Sequence, residues 1–305
     1  MIVWTVRWCV VLVATTACSF RLPVGEPAAG ADGALPPDTG GNAIGPCVQK
    51  WIAGPTFVAP APLAAMNTAS SENDAFVTTD ELTLFFAREG DIYVSTRLAK
   101  TDDFVIAAVD PLLSSPELDS KLSLTADGLT VYLNTNRPSG GDTDVLRGTR
   151  AALGSAFAFS KTFLGAVDTS GNQWDPEISA DERRLYLAPD DTGLQHVAVA
   201  ERASASDDFG APAIIPELAS ATTDNDPTIS GDERVIVFAS NRTGERGLFY
   251  ATRADRTQAF GTPIELTMIN SNQSDDGPHL TADACHLYFS SARNGTDDLY
   301  VAALK

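Results

Sequence analysis

Positive charge is scarce in this sequence. Its 305 residues hold 21 Lys plus Arg against 40 Asp plus Glu, a formal net charge of −19. A nucleic-acid backbone needs a cationic face, and an anionic lipid surface asks for the same, so neither is an expected partner of the folded body. Histidine is scarcer still: His196, His279 and His286 stand at unrelated positions and form no metal set by spacing. The Gly-x-Ser-x-Gly elbow, His-Glu-x-x-His, Cys-x-x-Cys and the phosphate loop are all absent. Asp-rich stretches at 140–144 and 294–298 are the places where calcium could bind, but neither has EF-hand spacing, and no cofactor is expected. No run reaches about 18 apolar residues, the length needed to span a bilayer.

The first 17 residues read as a secretory signal. They carry one cation, Arg7, then the apolar run Trp8 to Ala14, then Thr15-Thr16-Ala17 before Cys18. Small residues followed by cysteine resemble a bacterial lipobox, with Thr15 standing where lipoproteins usually carry Leu. That resemblance implies an acylated Cys18 and a lipid-anchored protein of the bacterial cell envelope, facing the periplasm or the outer surface. The lipid would be its sole membrane contact, and plain secretion is the alternative. Residues 18–50, rich in Pro, Gly and Ala, have little to bury and read as a flexible tether. Of four cysteines, Cys9 leaves with the signal and Cys18 is the lipidation candidate. Cys47 and Cys285 remain, an even pair for a disulfide in an oxidising compartment.

What the sequence has in quantity is repetition. An apolar residue, Ser or Thr, any residue and Asp recur at 77–80, 124–127, 178–181, 229–232 and 280–283, and the Asp spacings are 47, 54, 51 and 51. The body, 51–305, is 255 residues, or five units of 51. In each unit the Asp is followed by alternating apolar pairs (Leu84/Phe86, Val131/Leu133, Leu185/Leu187, Ile236/Phe238, Leu287/Phe289), the period of a strand buried on one face. Polar loops, third strands such as Gly247-Leu248-Phe249-Tyr250, and fourth strands beginning near a Phe complete four strands per unit, the pattern of a propeller blade. The last unit ends after its third strand, and Phe57-Val58-Ala59-Pro60 looks like a stray fourth strand. The expected fold is therefore an all-β, five-bladed β-propeller of four-stranded blades, its ring closed by the amino-terminal strand joining the last blade.

Asp226-Pro-x-Ile-Ser-x-Asp-Glu, then Val-Phe-Ala-Ser-Asn-Arg, then Leu-Phe-Tyr-Ala-Thr-Arg253 resembles the WD-repeat-like propeller repeat of the TolB family. The likeness spans Trp51 to Lys305. It departs from TolB in having five units rather than six and no amino-terminal α/β domain, so TolB's own role in the Tol–Pal system does not carry over.

The repeats also serve as an internal alignment. Asp80, Asp127, Asp181, Asp232 and Asp283 recur in a hairpin and read as turn formers. Arg88, Arg137, Arg242 and Arg293 recur in the next loop, with Asp190 and Asp191 in their place in unit three, and are expected to tie neighbouring blades together. Before each innermost strand stand Asp74, Lys121, Asp175, Asp226 and Gly277, the last preceded by Asp275 and Asp276. This places carboxylates at the channel mouth, a ring suited to a cation or a basic peptide. Two residues on, the position differs in every unit: Phe76, Ser123, Glu177, Thr228 and His279. The expected function is non-catalytic: an envelope-anchored scaffold that binds an envelope protein or peptide, a basic one among the candidates, through Asp74, Asp175, Glu177, Asp226, Asp276 and His279. A glycosidase working through channel carboxylates, or a purely structural envelope role, are the alternatives.

Overall fold

The computed structural model describes residues 44–305 apart from 106, 138–140 and 192; the signal segment, Cys18 and most of the tether lie outside the described residues. Five antiparallel sheets of four strands each make five blades. The inner strands are Glu72–Val77, Asp119–Leu124, Gln173–Ile178, Asp224–Ile229 and Asp275–Leu280. Second strands follow at Thr83–Arg88, Thr130–Thr135, Arg184–Pro189, Val235–Ser240 and His286–Ser291. Third strands are Asp91–Thr96, Asp144–Thr149, Ala198–Glu201, Gly247–Thr252 and Asp298–Ala303. Outer strands are only two residues long, as at Ala213–Ile214 and Ile264–Glu265. No described helix is long and apolar enough to cross a membrane.

Each hairpin between the first two strands is built by its repeated Asp. Thr78 Oγ1 and the Leu82 amide both donate to Asp80 Oδ1, and the same pair of bonds recurs at Asp127, Asp181, Asp232 and Asp283. The residue after the Asp is left-handed in every blade: Glu81, Gly128, Glu182, Glu233 and Ala284. Alternating apolar side chains of the second strand then fill the space between blades, where Leu84, Val131, Leu185, Ile236 and Leu287 are fully buried.

Two series of arginines stitch the blades. In the loops after the second strand, Arg88, Arg137, Arg242 and Arg293 pair with Glu72, Asp119, Asp224 and Asp275, which begin the inner strands of their own blades. Each guanidinium also donates through Nη2 to a carbonyl of the incoming connection, at Met66, Leu113, Leu218 and Ile269. They thus fasten each crossover to its own blade rather than one sheet to the next. A second series after the third strands spans the seams. Arg97, Arg202 and Arg253 donate to the hydroxyls of Tyr288, Tyr132 and Tyr186 of the preceding blade. Each, like Arg150, also binds the carbonyl of the left-handed turn residue and lies over a Phe.

The last blade lacks that arginine, and the amino-terminal end of the described chain replaces it. Ala61–Pro62 is the outer strand of the blade, with Ala61 opposite Val301 and Pro62 opposite Tyr300, and Phe57 bridges Leu304. Ahead of it lies the one helix of the described chain, α1 (Pro46–Ala53), which the sequence reading did not include. Pro46 begins it with an imino nitrogen that needs no partner. Trp51 of α1 donates its indole N–H to the Ala284 carbonyl and packs against Phe57 and Tyr250. It does for blade 5 what an arginine does for the others. Cys47, one turn earlier in α1, is disulfide-bonded to Cys285 in the same hairpin.

Candidate functional site

Every inner strand is interrupted at the same place. Pairing with the second strand shifts between Asn73 and Phe76, Asp119 and Leu122, Trp174 and Glu177, Asn225 and Thr228, and Asp276 and His279. At four of the five bulges the residue inside is left-handed: Asp74, Asp175, Asp226 and Gly277. Asp tolerates this conformation better than most side chains, and Pro176, Pro227 and Pro278 follow where a ladder N–H would be lost. The bulge turns the residue inside it toward the channel.

The result is a compact charged ring. One carboxylate oxygen each of Asp74, Asp175 and Asp226 lies within 4.8 Å of the others. Lys121, from blade 2, extends its ammonium to 3.1 Å from Asp226 Oδ1. The three carboxylates are near enough to share a cation, and the chain supplies one of its own. Asp226 also accepts from Arg246 at 2.9 Å, and Arg246 binds Asp276 at 2.6 Å. Lys121 and Asp226 are each 4% exposed, so this ion pair is shielded from water and its charges act at short range in a medium of low polarity.

Ionisation follows from this. Burial raises Asp74 to about 6, helped by the Asp226 charge and opposed by Lys121 and Arg246. Burial and Asp226 raise Asp175 well above the carboxylate range. Burial pushes Asp276 up to about 8, with the Asp226 charge adding to it. Burial would raise Asp226 as well, but Lys121, Asp276 and Arg246 overcome it and hold this carboxyl below its ordinary value. Asp226 is therefore the fixed anion of the ring, and the other carboxyls share protons around it.

Beneath lies a second layer, the position that varies from unit to unit. Its polar members bond forward to the next blade. The Ile178 amide donates to Ser123 Oγ, the Leu280 amide donates to Thr228 Oγ1, and His279 Nε2 lies 3.1 Å from the Val77 carbonyl. Glu177 accepts from Thr228 Oγ1 at 3.3 Å, and burial raises it to about 7. Burial lowers His279 to about 3, and its ring is tilted against Phe76. Glu177 and His279 are each bonded to other residues rather than to one another. The variety at this position reflects five different ways of joining two blades.

Above the ring, one residue earlier in each inner strand, is a rim that sequence reasoning passed over: Asn73, Ser120, Trp174 and Asn225, joined by Asp276. It too varies, with only Asn occurring twice, and the internal alignment moved back by one position displays it. Asn225 accepts from Arg246, and the Trp174 indole N–H lies 3.4 Å from Asp190 Oδ2. A groove of about 320 Å³ leads from Asp74 outward between blades 1 and 2, past Asn73, Glu89 and Ser120.

No protein-family model and no curated protein matches the sequence. Solved structures do. The catalytic domain of the GH62 α-L-arabinofuranosidase of Coprinopsis cinerea is similar with a TM-score of 0.58 and 10% identity, over 82% of this chain and 97% of that one. A TolB-type protein of Agrobacterium tumefaciens has a TM-score of 0.49 and 12% identity, over 78% of each chain. TolB of Acinetobacter baumannii has a TM-score of 0.48 and 11% identity, over 78% of this chain and 56% of that one. At identities of 10–12% these likenesses concern the fold alone: the chain is a five-bladed β-propeller whose structural neighbours include TolB propellers.

Proposed function

We propose that this protein is a non-catalytic binding propeller of the cell envelope, and that its channel-mouth face captures a basic segment of a partner protein. The observation that carries the reading is the one-sided charge of that face. Loops between second and third strands, and the connections between blades, expose Glu89, Glu117, Asp168, Asp191 and Glu245. The arginines of the same loops, Arg88, Arg137, Arg242, Arg246 and Arg293, are all held by buried or half-buried carboxylates. A basic chain meets acceptors there, with Lys161 the one exposed cation among the described residues of these loops and connections. Calorimetry with an oligo-lysine peptide tests it. Binding should weaken as salt rises, and should fall about tenfold in a Glu89→Lys, Glu117→Lys double variant beside the groove. An affinity indifferent to both salt and charge reversal would refute the reading.

A glycosidase is the second reading, favoured by one observation: Glu177, raised to about 7, has the proton affinity of a general acid. Against it, Glu177 lies under the ring, and Asp226 is committed to Lys121 and Arg246. Hydrolysis of a polysaccharide by the parent protein and its loss in Glu177→Gln would favour the enzyme; silence across a panel would favour binding.

A further inference from the structure

Blade 3 is where the repeated arginine clamp has been taken apart. In the other four blades an arginine lies over an aromatic ring and pairs with the carboxylate at the start of the inner strand: Arg88 over Tyr93, Arg137 over Phe159, Arg242 over Phe249 and Arg293 over Tyr300. In blade 3 the neutral amide of Gln173 replaces the carboxylate, the sheet positions beneath are Leu187 and Ala198, and Asp190 and Asp191 stand in the loop where the arginine would be. An aromatic side chain and carboxylates are present all the same, but displaced to the surface. Trp174 is half-exposed on the rim, its indole N–H directed at Asp190. Asp191 is exposed, and its carboxylate is fixed by Thr169 Oγ1 and the Gly171 amide.

No cation answers these groups among the described residues. Asp144, only 2% exposed, takes a single hydrogen bond to its carboxylate, from the Gln173 amide, and has no ion pair. Burial raises it to about 6, and the charges of Asp168, Asp142 and Asp190 around it add to the rise. A buried acid facing three others is unfavourable until a positive group arrives.

We propose that this part of the mouth seats an arginine side chain of the partner segment, stacked on Trp174 and paired with Asp190 and Asp191. The inference rests on the binding reading above and narrows its partner chemistry. A guanidinium fits better than an ammonium because it is planar: it can lie on the indole face and present a fork of N–H donors to a carboxylate. The molecule forms this sandwich four times from its own residues, and here offers the two outer layers without the filling.

The test compares an arginine-rich peptide with its lysine and citrulline counterparts, citrulline keeping the shape and losing the charge. Trp4 and Trp8 fall in the segment read as a signal, Trp51 is buried and Trp174 half-exposed, so in the protein without that segment binding is read from the fluorescence of Trp174 as well as by calorimetry. The arginine peptide should bind and alter that emission, the lysine peptide should bind more weakly, and the citrulline peptide should fail. Trp174→Leu should weaken the arginine peptide about tenfold while Trp174→Phe, which keeps a ring, retains most of the affinity. Asp191→Asn should weaken it in the same direction. If the arginine peptide binds parent and Trp174→Leu alike, this inference is wrong and the acidic face remains a binding surface. If no basic peptide binds at all, both fall together.

Discussion

Gly277 shows how much a single position in the ring decides. Four of the five ring residues bring a side chain into the channel, and this one brings none. A methyl group there would lie 3.1 Å from the Asp74 amide nitrogen and 3.2 Å from both Asp74 Oδ1 and Ser290 Oγ, on a backbone with φ +50°. Gly277→Ala should therefore lower stability by about 1–2 kcal/mol, read as a reduced melting temperature, and should disturb Asp74 first. Glu177 gives a prediction with a sign. Its carboxyl is raised to about 7 in the fold from an ordinary 4.5, so the folded state holds the proton more tightly than the unfolded chain. The stabilisation this brings is complete below about pH 4.5 and is lost as pH rises through 7. Glu177→Gln should match the parent near pH 4 and exceed it at pH 8, by up to ~3 kcal/mol, in melts run across that range. The ring aspartates were legible in the sequence because they recur. The pairing of Lys121 with Asp226 was not: those residues are 105 apart, and only closure of the ring brings blades 2 and 4 into contact.

Among the elements, α1 is the one that no periodicity announced. It has eight residues, too few to be stable by itself, and depends on the surface it covers. The signal that could have revealed it is an absence. An arginine follows the third strand at Arg97, Arg150, Arg202 and Arg253, and the last unit has Leu304 instead. Something had to reach the Ala284 carbonyl, and Trp51 does. Trp51→Ala should cost about 3–5 kcal/mol, measured by denaturant unfolding, through lost packing against Phe57 and Tyr250 and an unsatisfied carbonyl. Reducing the Cys47–Cys285 bridge should lower stability by about 2–5 kcal/mol, seen as a shift in the melt on adding reductant and absent in a Cys47→Ser, Cys285→Ser variant. The inner, second and third strands, by contrast, were readable because one pattern, the turn Asp followed by alternating apolar residues, occurs five times, and five weak signals in register amount to a strong one. The outer strands were only partly so, since two residues of pairing leave little pattern to read.

At the scale of the whole molecule, charge is the property that composition already displayed and the fold arranges. A net charge of −19 repels itself, and screening should relieve it, so the melting temperature should rise between low salt and about 0.5 M sodium chloride. Composition could not show that the arginines of the mouth loops are consumed in internal pairs while acids of the same loops face outward. That distribution depends on which end of each strand a loop occupies. The disulfide has a mechanical consequence. Cys47 and Cys285 are 238 residues apart in sequence, yet the bond between them joins the leading end of the described chain directly to the final blade. A pull between Pro46 and Lys305 is therefore carried through that bond and the last strands. The blades from Glu72 to Ile229 lie inside a covalent loop that bears no tension, and the mouth can keep its geometry while the chain is under load.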